Sequence, residues 1–141
     1  MTRAPLLVLS AALLAGLTGA ATPAPRQAAP FTGRWTYTAT ELRMRDGQRE
    51  VLCGMSGVTL QLQQRDSLLI GTSSGGTLRC EGRPDRPVTD APISNGVVRH
   101  SDLAFKLGPF THRGHMARRD VAGAISIPGR PVTGRFTLVR R

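Results

Sequence analysis

A chain of 141 residues with a formal charge of +10 and 4% aromatic residues has room for one domain around one hydrophobic core. The basic residues are present for nucleic-acid binding. The aromatic platforms that grip single strands are scarce (Phe31, Trp35, Tyr37, Phe105, Phe110 and Phe136), so nucleic acid is disfavoured as a partner. Lys106 is the one Lys among 19 basic residues; a bias toward Ala, Gly, Pro and Arg along the whole chain accounts for this more simply than a dedicated anionic partner does.

In chain order, Arg3 precedes an almost wholly apolar stretch from Ala4 to Leu17, and small residues follow at Gly19, Ala20 and Ala21. This pattern reads as a secretory signal peptide over residues 1–21, cleaved after Ala21. The apolar stretch is shorter than the ~20 residues of a membrane helix, and no later segment resembles one, so no transmembrane segment is expected after cleavage. Residues 22–32, with Pro23, Pro25 and Pro30 among Ala residues, read as a flexible lead-in. The domain is expected over residues 33–141, in a periplasmic or extracellular monomer.

From Gly33 onward the period is two. Trp35, Tyr37 and Ala39 share one face of the first strand, with Arg34, Thr36, Thr38 and Thr40 on the other. Val58, Leu60 and Leu62 alternate with Thr59, Gln61 and Gln63. Arg65-Asp66 marks a turn into Leu68–Ile70, and Ser74–Gly76 a turn into Thr77–Cys80. The proline-rich, charged stretch 82–92 reads as a loop. Asn95-Gly96 carries a hairpin signal. Strands over Val97–His100, Leu103–Leu107, Phe110–Met116, Val121–Ile127 and Val132–Val139 complete the chain. No helical period follows the leader. The fold class expected is all-β: an antiparallel up-and-down meander of about eight strands, closed into a small barrel so that no edge is left unpaired. Gly71, Gly123 and Gly134 each follow an apolar residue by two positions, where they permit the bending that closure requires.

Cys53 and Cys80 form an even pair, most simply a disulfide in an oxidising compartment, worth roughly 3–4 kcal/mol for a loop of this length. It would tie the second strand to the fourth. In a regular strand Cys53 falls on the face opposite Val58, so either the bond sits at a barrel mouth or a bulge near Gly54 or Gly57 resets the alternation; the bulge is preferred.

Gly33-Arg34-Trp35 at the head of a meander resembles the start of lipocalin-type and avidin-type barrels. The resemblance implies a barrel with a central cavity and a Trp that plugs one end or lines the core. Avidin-like biotin sites use several Trp residues and this chain has one, which argues against biotin. The plan of leader, Gly-x-Trp strand, eight strands and one disulfide also resembles the bacterial periplasmic inhibitors of metalloproteases. Those act through an N-terminal arm, a part that Thr22–Pro30 would play here.

No catalytic constellation stands out. His112 and His115 lie three apart on one strand and point to opposite faces, which does not suit one metal ion. His100-Ser101-Asp102 holds the residue types of a triad, but a turn explains all three. A non-enzyme without cofactor or metal is expected. Three functions follow in order. The first is a barrel binding a small apolar or amphipathic ligand in an interior lined by Trp35, Tyr37, Leu60, Phe105, Ile125 and Phe136. The second is an envelope protein-interaction or inhibitor module working through its arm and loops. The third is attachment to anionic surfaces through Arg34, Arg113, Arg118, Arg119, Arg135, Arg140 and Arg141.

Overall fold

The computed structural model describes residues 19–22 and 28–141. Most of the segment read as a signal peptide, and residues 23–27 of the lead-in, lie outside the described residues. The alternating pattern produces ten strands: β1 (Gly33–Asp46), β2 (Arg49–Arg65), β3 (Leu68–Ser74), β4 (Thr77–Cys80), β5 (Arg86–Pro87), β6 (Ala91–Arg99), β7 (Asp102–Leu107), β8 (Phe110–Ala117), β9 (Asp120–Ile127) and β10 (Arg130–Arg140). Eight of them close into an antiparallel barrel in the order β1-β10-β9-β8-β7-β6-β3-β2, with β2 returning to β1. The two others form a flap, β4 pairing with the first half of β2 and β5 with β4. No helix of the described residues is long and apolar enough to cross a membrane.

Strand direction gives the barrel two distinct ends. The flap end carries the turns at Gly47, Gly75-Gly76, Gly108-Pro109 and Pro128-Gly129. The plug end carries the turns at Asp66-Ser67, His100-Ser101 and Arg118-Arg119, together with the start of β1 and the finish of β10. At the plug end lies Phe31, within the stretch 22–32 read as a lead-in. Phe31 is fully buried and packs into the core, because a large apolar side chain next to an open barrel end gains more from burial than from water. Its backbone amide donates to Gln64 Oε1 at 3.2 Å and its carbonyl accepts from Trp35 Nε1 at 2.9 Å.

The Gly-x-Trp spacing has a local reason. Gly33 sits at φ 138°, and a Cβ there would lie 2.9 Å from a terminal nitrogen of Arg140. Only glycine enters the first strand this way while Trp35 turns inward beneath that arginine.

The register of β1 against β2 resolves the cysteine parity. Tyr37 faces Val58 and Ala39 faces Met55, so β2 carries one extra residue at Ser56-Gly57, where Gly57 has φ 71°. A second bulge on β1 at Thr40-Glu41 (Glu41 φ 51°) restores the count before Leu42 meets Cys53. Cys53, Met55 and Val58 are therefore all buried. Cys53 bonds Cys80, its partner across β2 and β4, stapling the flap to the wall.

Asn95-Gly96 corrects the sequence reading. The pair lies within β6 and makes a bulge, with Ser94 opposite Lys106 and Val97 opposite Ala104. Left-handed Asn followed by Gly suits a bulge as well as a hairpin turn. Gly96 is held there because a Cβ would stand 2.0 Å from the Leu69 carbonyl oxygen. The stretch read as a loop over 82–92 also holds the short strand β5 and the first residues of β6.

Candidate functional site

The inner-face alternation brings Trp35, Tyr37, Leu60, Phe105, Ile125 and Phe136 together, each at most 1% exposed. None of them presents a wall to an open central space. Phe105 and Phe136 meet edge to face at 5.9 Å, and Tyr37 stacks on Phe136 at 6.1 Å. These side chains fill the volume that a ligand at the barrel centre would occupy.

At their middle stands His112, which the strand pairings place between Phe105 and Ile125. Its ring lies parallel to Phe105 with centroids 4.5 Å apart and meets the edge of Phe136 at 5.0 Å. Its Nε2 shares a hydrogen bond with Tyr37 Oη at 2.9 Å. Nδ1 has no partner of good geometry among the described residues. Burial lowers the pKa of His112 to about 4, against a smaller opposing effect from the Phe110 backbone carbonyl, so the imidazole is neutral at pH 7. Burial likewise raises the Tyr37 phenol above its ordinary range. The pair is a neutral polar contact in an apolar core. The period-two pattern of β8 was the signal for it: Phe110, His112, Gly114 and Met116 share the inward face.

His115 points outward and pairs with Asp102 at 2.7 Å. Among the described residues no group of three His, Cys, Asp or Glu side chains stands close enough to hold a metal ion. His100 and Ser101 form the turn before β7, and Asp102 opens that strand.

Above the filled core, at the flap end, lies a cleft of about 630 Å³. Met55, Ala91, Leu107 and Phe110 line its barrel side and Leu78 and Val88 its flap side, with Arg86 and Thr89 also in the lining. The flap is fixed from three directions: by the disulfide, by Val88 N–H donating to the Gly76 carbonyl at 3.0 Å, and by the Asp90 carboxylate accepting from the Gly75 amide at 3.0 Å. Arg86 is exposed and forms no ion pair with the described residues. An apolar cleft of this volume with one cation is suited to a small molecule with an apolar body and a negative tip.

No protein-family model matches the chain, and no curated protein matches it. The cleft is therefore read from its own chemistry.

The arginines expected on an anionic-surface face do not form one patch. Arg135 is paired with Glu41 at 3.5 Å. Arg140 has a structural role, lying 4.3 Å over the Trp35 ring and donating to the Thr32 and Pro30 carbonyls. Arg113 projects from the outer wall of β8 between Ala104 and Ala124. Arg34, Arg118, Arg119 and Arg141 lie at the plug end. Sequence reasoning did not single out the lining of the cleft, because its walls come from five separate segments that no spacing rule connects.

Proposed function

We propose that this protein is an exported, non-enzymatic barrel that binds a small amphipathic molecule in the cleft between flap and barrel rim. The apolar cleft with unpaired Arg86 beside it is the observation that carries this reading. The filled centre directs the ligand to the rim, where its apolar part lies against Leu78, Val88, Leu107 and Phe110 and its anionic tip meets Arg86. The charged, apolar and small-residue order of residues 1–21 and the disulfide support export.

Titration with a medium-chain fatty acid and the alcohol of equal length, followed by native mass spectrometry and calorimetry, tests it. The acid should bind more tightly, Arg86→Gln should remove most of that preference, and Leu78→Asp should weaken both ligands by about tenfold or more. Absence of saturable binding by either ligand, or indifference to Leu78→Asp, would rule the cleft out.

A further inference from the structure

We infer that the plug end is a docking face for an anionic lipid bilayer. The inference is independent of the cleft, which lies at the opposite end of the barrel.

The two ends differ in how their charges are used. Toward the flap end, four arginines are neutralised by acids, Arg43 by Glu50 at 2.8 Å, Arg79 by Asp85 at 2.9 Å, Arg83 by Asp46, and Arg135 by Glu41, while Arg45, Arg49, Arg86 and Arg130 form no ion pair with the described residues. At the plug end, Arg34, Arg65, Arg99, Arg118, Arg119 and Arg141 are exposed, and none forms an ion pair with the described residues. The acids there are Asp66, Asp102 and Asp120, and Asp102 is engaged by His115. A genomic preference for Arg explains the number of arginines but not why every ion-paired arginine of the described residues lies away from the plug end.

The arginines come from the start of β1, the β2–β3, β6–β7 and β8–β9 turns and the finish of β10, so they ring the barrel's end rather than run along a wall. A ring of guanidinium groups on a blunt end can meet a plane of phosphates together, each fork taking two oxygens. Apolar side chains stand in the same zone. Leu68 and Val97 are partners across β3 and β6, 50% and 42% exposed, and Val139 precedes Arg140 at 47%. Single exposed apolar residues are ordinary. An adjacent pair set between Arg65 and Arg99 provides contact with the acyl boundary that a soluble polyanion would not use.

The test is sedimentation of the purified protein with phosphatidylcholine vesicles, with and without a quarter of phosphatidylglycerol. Binding should require the anionic lipid and fall steeply as salt rises from about 0.05 to about 0.5 M. The triple variant Arg99→Gln/Arg119→Gln/Arg141→Gln should lose affinity by about fivefold per arginine, roughly a hundredfold in all. Removing equal charge from the flap end (Arg45→Gln/Arg49→Gln/Arg130→Gln) should change it by less than about fivefold. Leu68→Ser/Val97→Ser should weaken vesicle binding and leave retention on a sulfated polysaccharide unchanged. Thermal melts confirm that each variant is folded, and Arg119→Gln alone gives the same reading should the triple variant fail. Three results would overturn the inference: equal binding to neutral vesicles, equal loss from both triple variants, or a soluble polyanion that binds tightly and displaces the protein while the Leu68/Val97 variant behaves as wild type. The last would assign the face to a glycan, with Arg99 and Arg113, which flank a groove on the outer wall, as its track.

Discussion

Arg140 and Trp35 are Cα partners across the seam between the last strand and the first, and the Arg140 guanidinium lies 4.3 Å above the centre of the indole. The same guanidinium donates to the Thr32 and Pro30 carbonyls. One side chain thus joins β10, the Trp35 face and the segment that leads Phe31 into the barrel end.

Arg140→Ala should therefore destabilise the protein by about 2 kcal/mol, combining a cation–π contact with charge-assisted hydrogen bonds at an exposed site. Arg140→Lys should recover only part, since one ammonium cannot stack on the ring and serve two carbonyls at once. Urea unfolding midpoints report the loss, and faster proteolysis near Pro30 in the Ala variant reports release of the plug.

His112 makes stability pH-dependent. Its folded pKa of about 4 lies below the unfolded value of about 6.5. Between the two, the unfolded chain binds a proton that the folded chain does not, so stability rises with pH through this window. The contribution is complete above about pH 6.5 and falls by about 3 kcal/mol on approach to pH 4. His112→Leu with Tyr37→Phe should flatten denaturation midpoints across pH 4–7, whereas His112→Leu alone should cost stability at pH 7 by orphaning the buried Tyr37 hydroxyl and should lose that deficit toward pH 4, where the wild type carries the penalty of His112.

Gly123→Ala should be severely destabilising. A Cβ there would lie 2.0 Å from the Arg113 carbonyl oxygen, 2.5 Å from Gly114 Cα and 2.7 Å from the Phe136 ring. Two of these are backbone atoms that cannot step aside, and we expect a loss of at least about 3 kcal/mol, or no soluble barrel. Phe136→Leu should fail to rescue it, because the clash with the Arg113 carbonyl remains; soluble yield and circular dichroism check both variants.

Replacing Cys53 and Cys80 by Ser should act unevenly. Opening a link that spans 27 residues removes roughly 3–4 kcal/mol in the chain-entropy model. The loosened part is the flap, since β2 is the one barrel strand with which β4 pairs among the described residues. Amide exchange should accelerate across residues 77–90 well before β7–β10 respond, and ligand affinity at the cleft should fall with it.

The barrel was legible because half-buried strands write their faces into alternation, as Trp35, Tyr37 and Ala39 do. The link from β2 to β4 follows from the two cysteines, and the parity of Cys53 places a bulge near Gly54 or Gly57. Asn95-Gly96 misled because its backbone preference serves two structures and only the strands on either side decide between them. Phe31 directly precedes Thr32 at the end of a proline-rich stretch, where composition hides a single anchoring side chain. The packed interior was beyond sequence because alternation tells which side chains point inward, not whether they leave room. His112 does not suit a metal pair with His115, and its place on the inner face of β8 marks it as a core residue.

The pairing of β1 with β10 joins the first strand to the last across about a hundred residues, and long loop closure of this kind is slow. Until Leu138 and Arg140 have been added, Tyr37 and Trp35 lack their neighbours and β1 has an open edge. Barrel closure therefore waits on β10. A chain interrupted before Arg140 leaves Trp35 without its cover, and one interrupted before Arg130 leaves both β1 and β9 with an open edge.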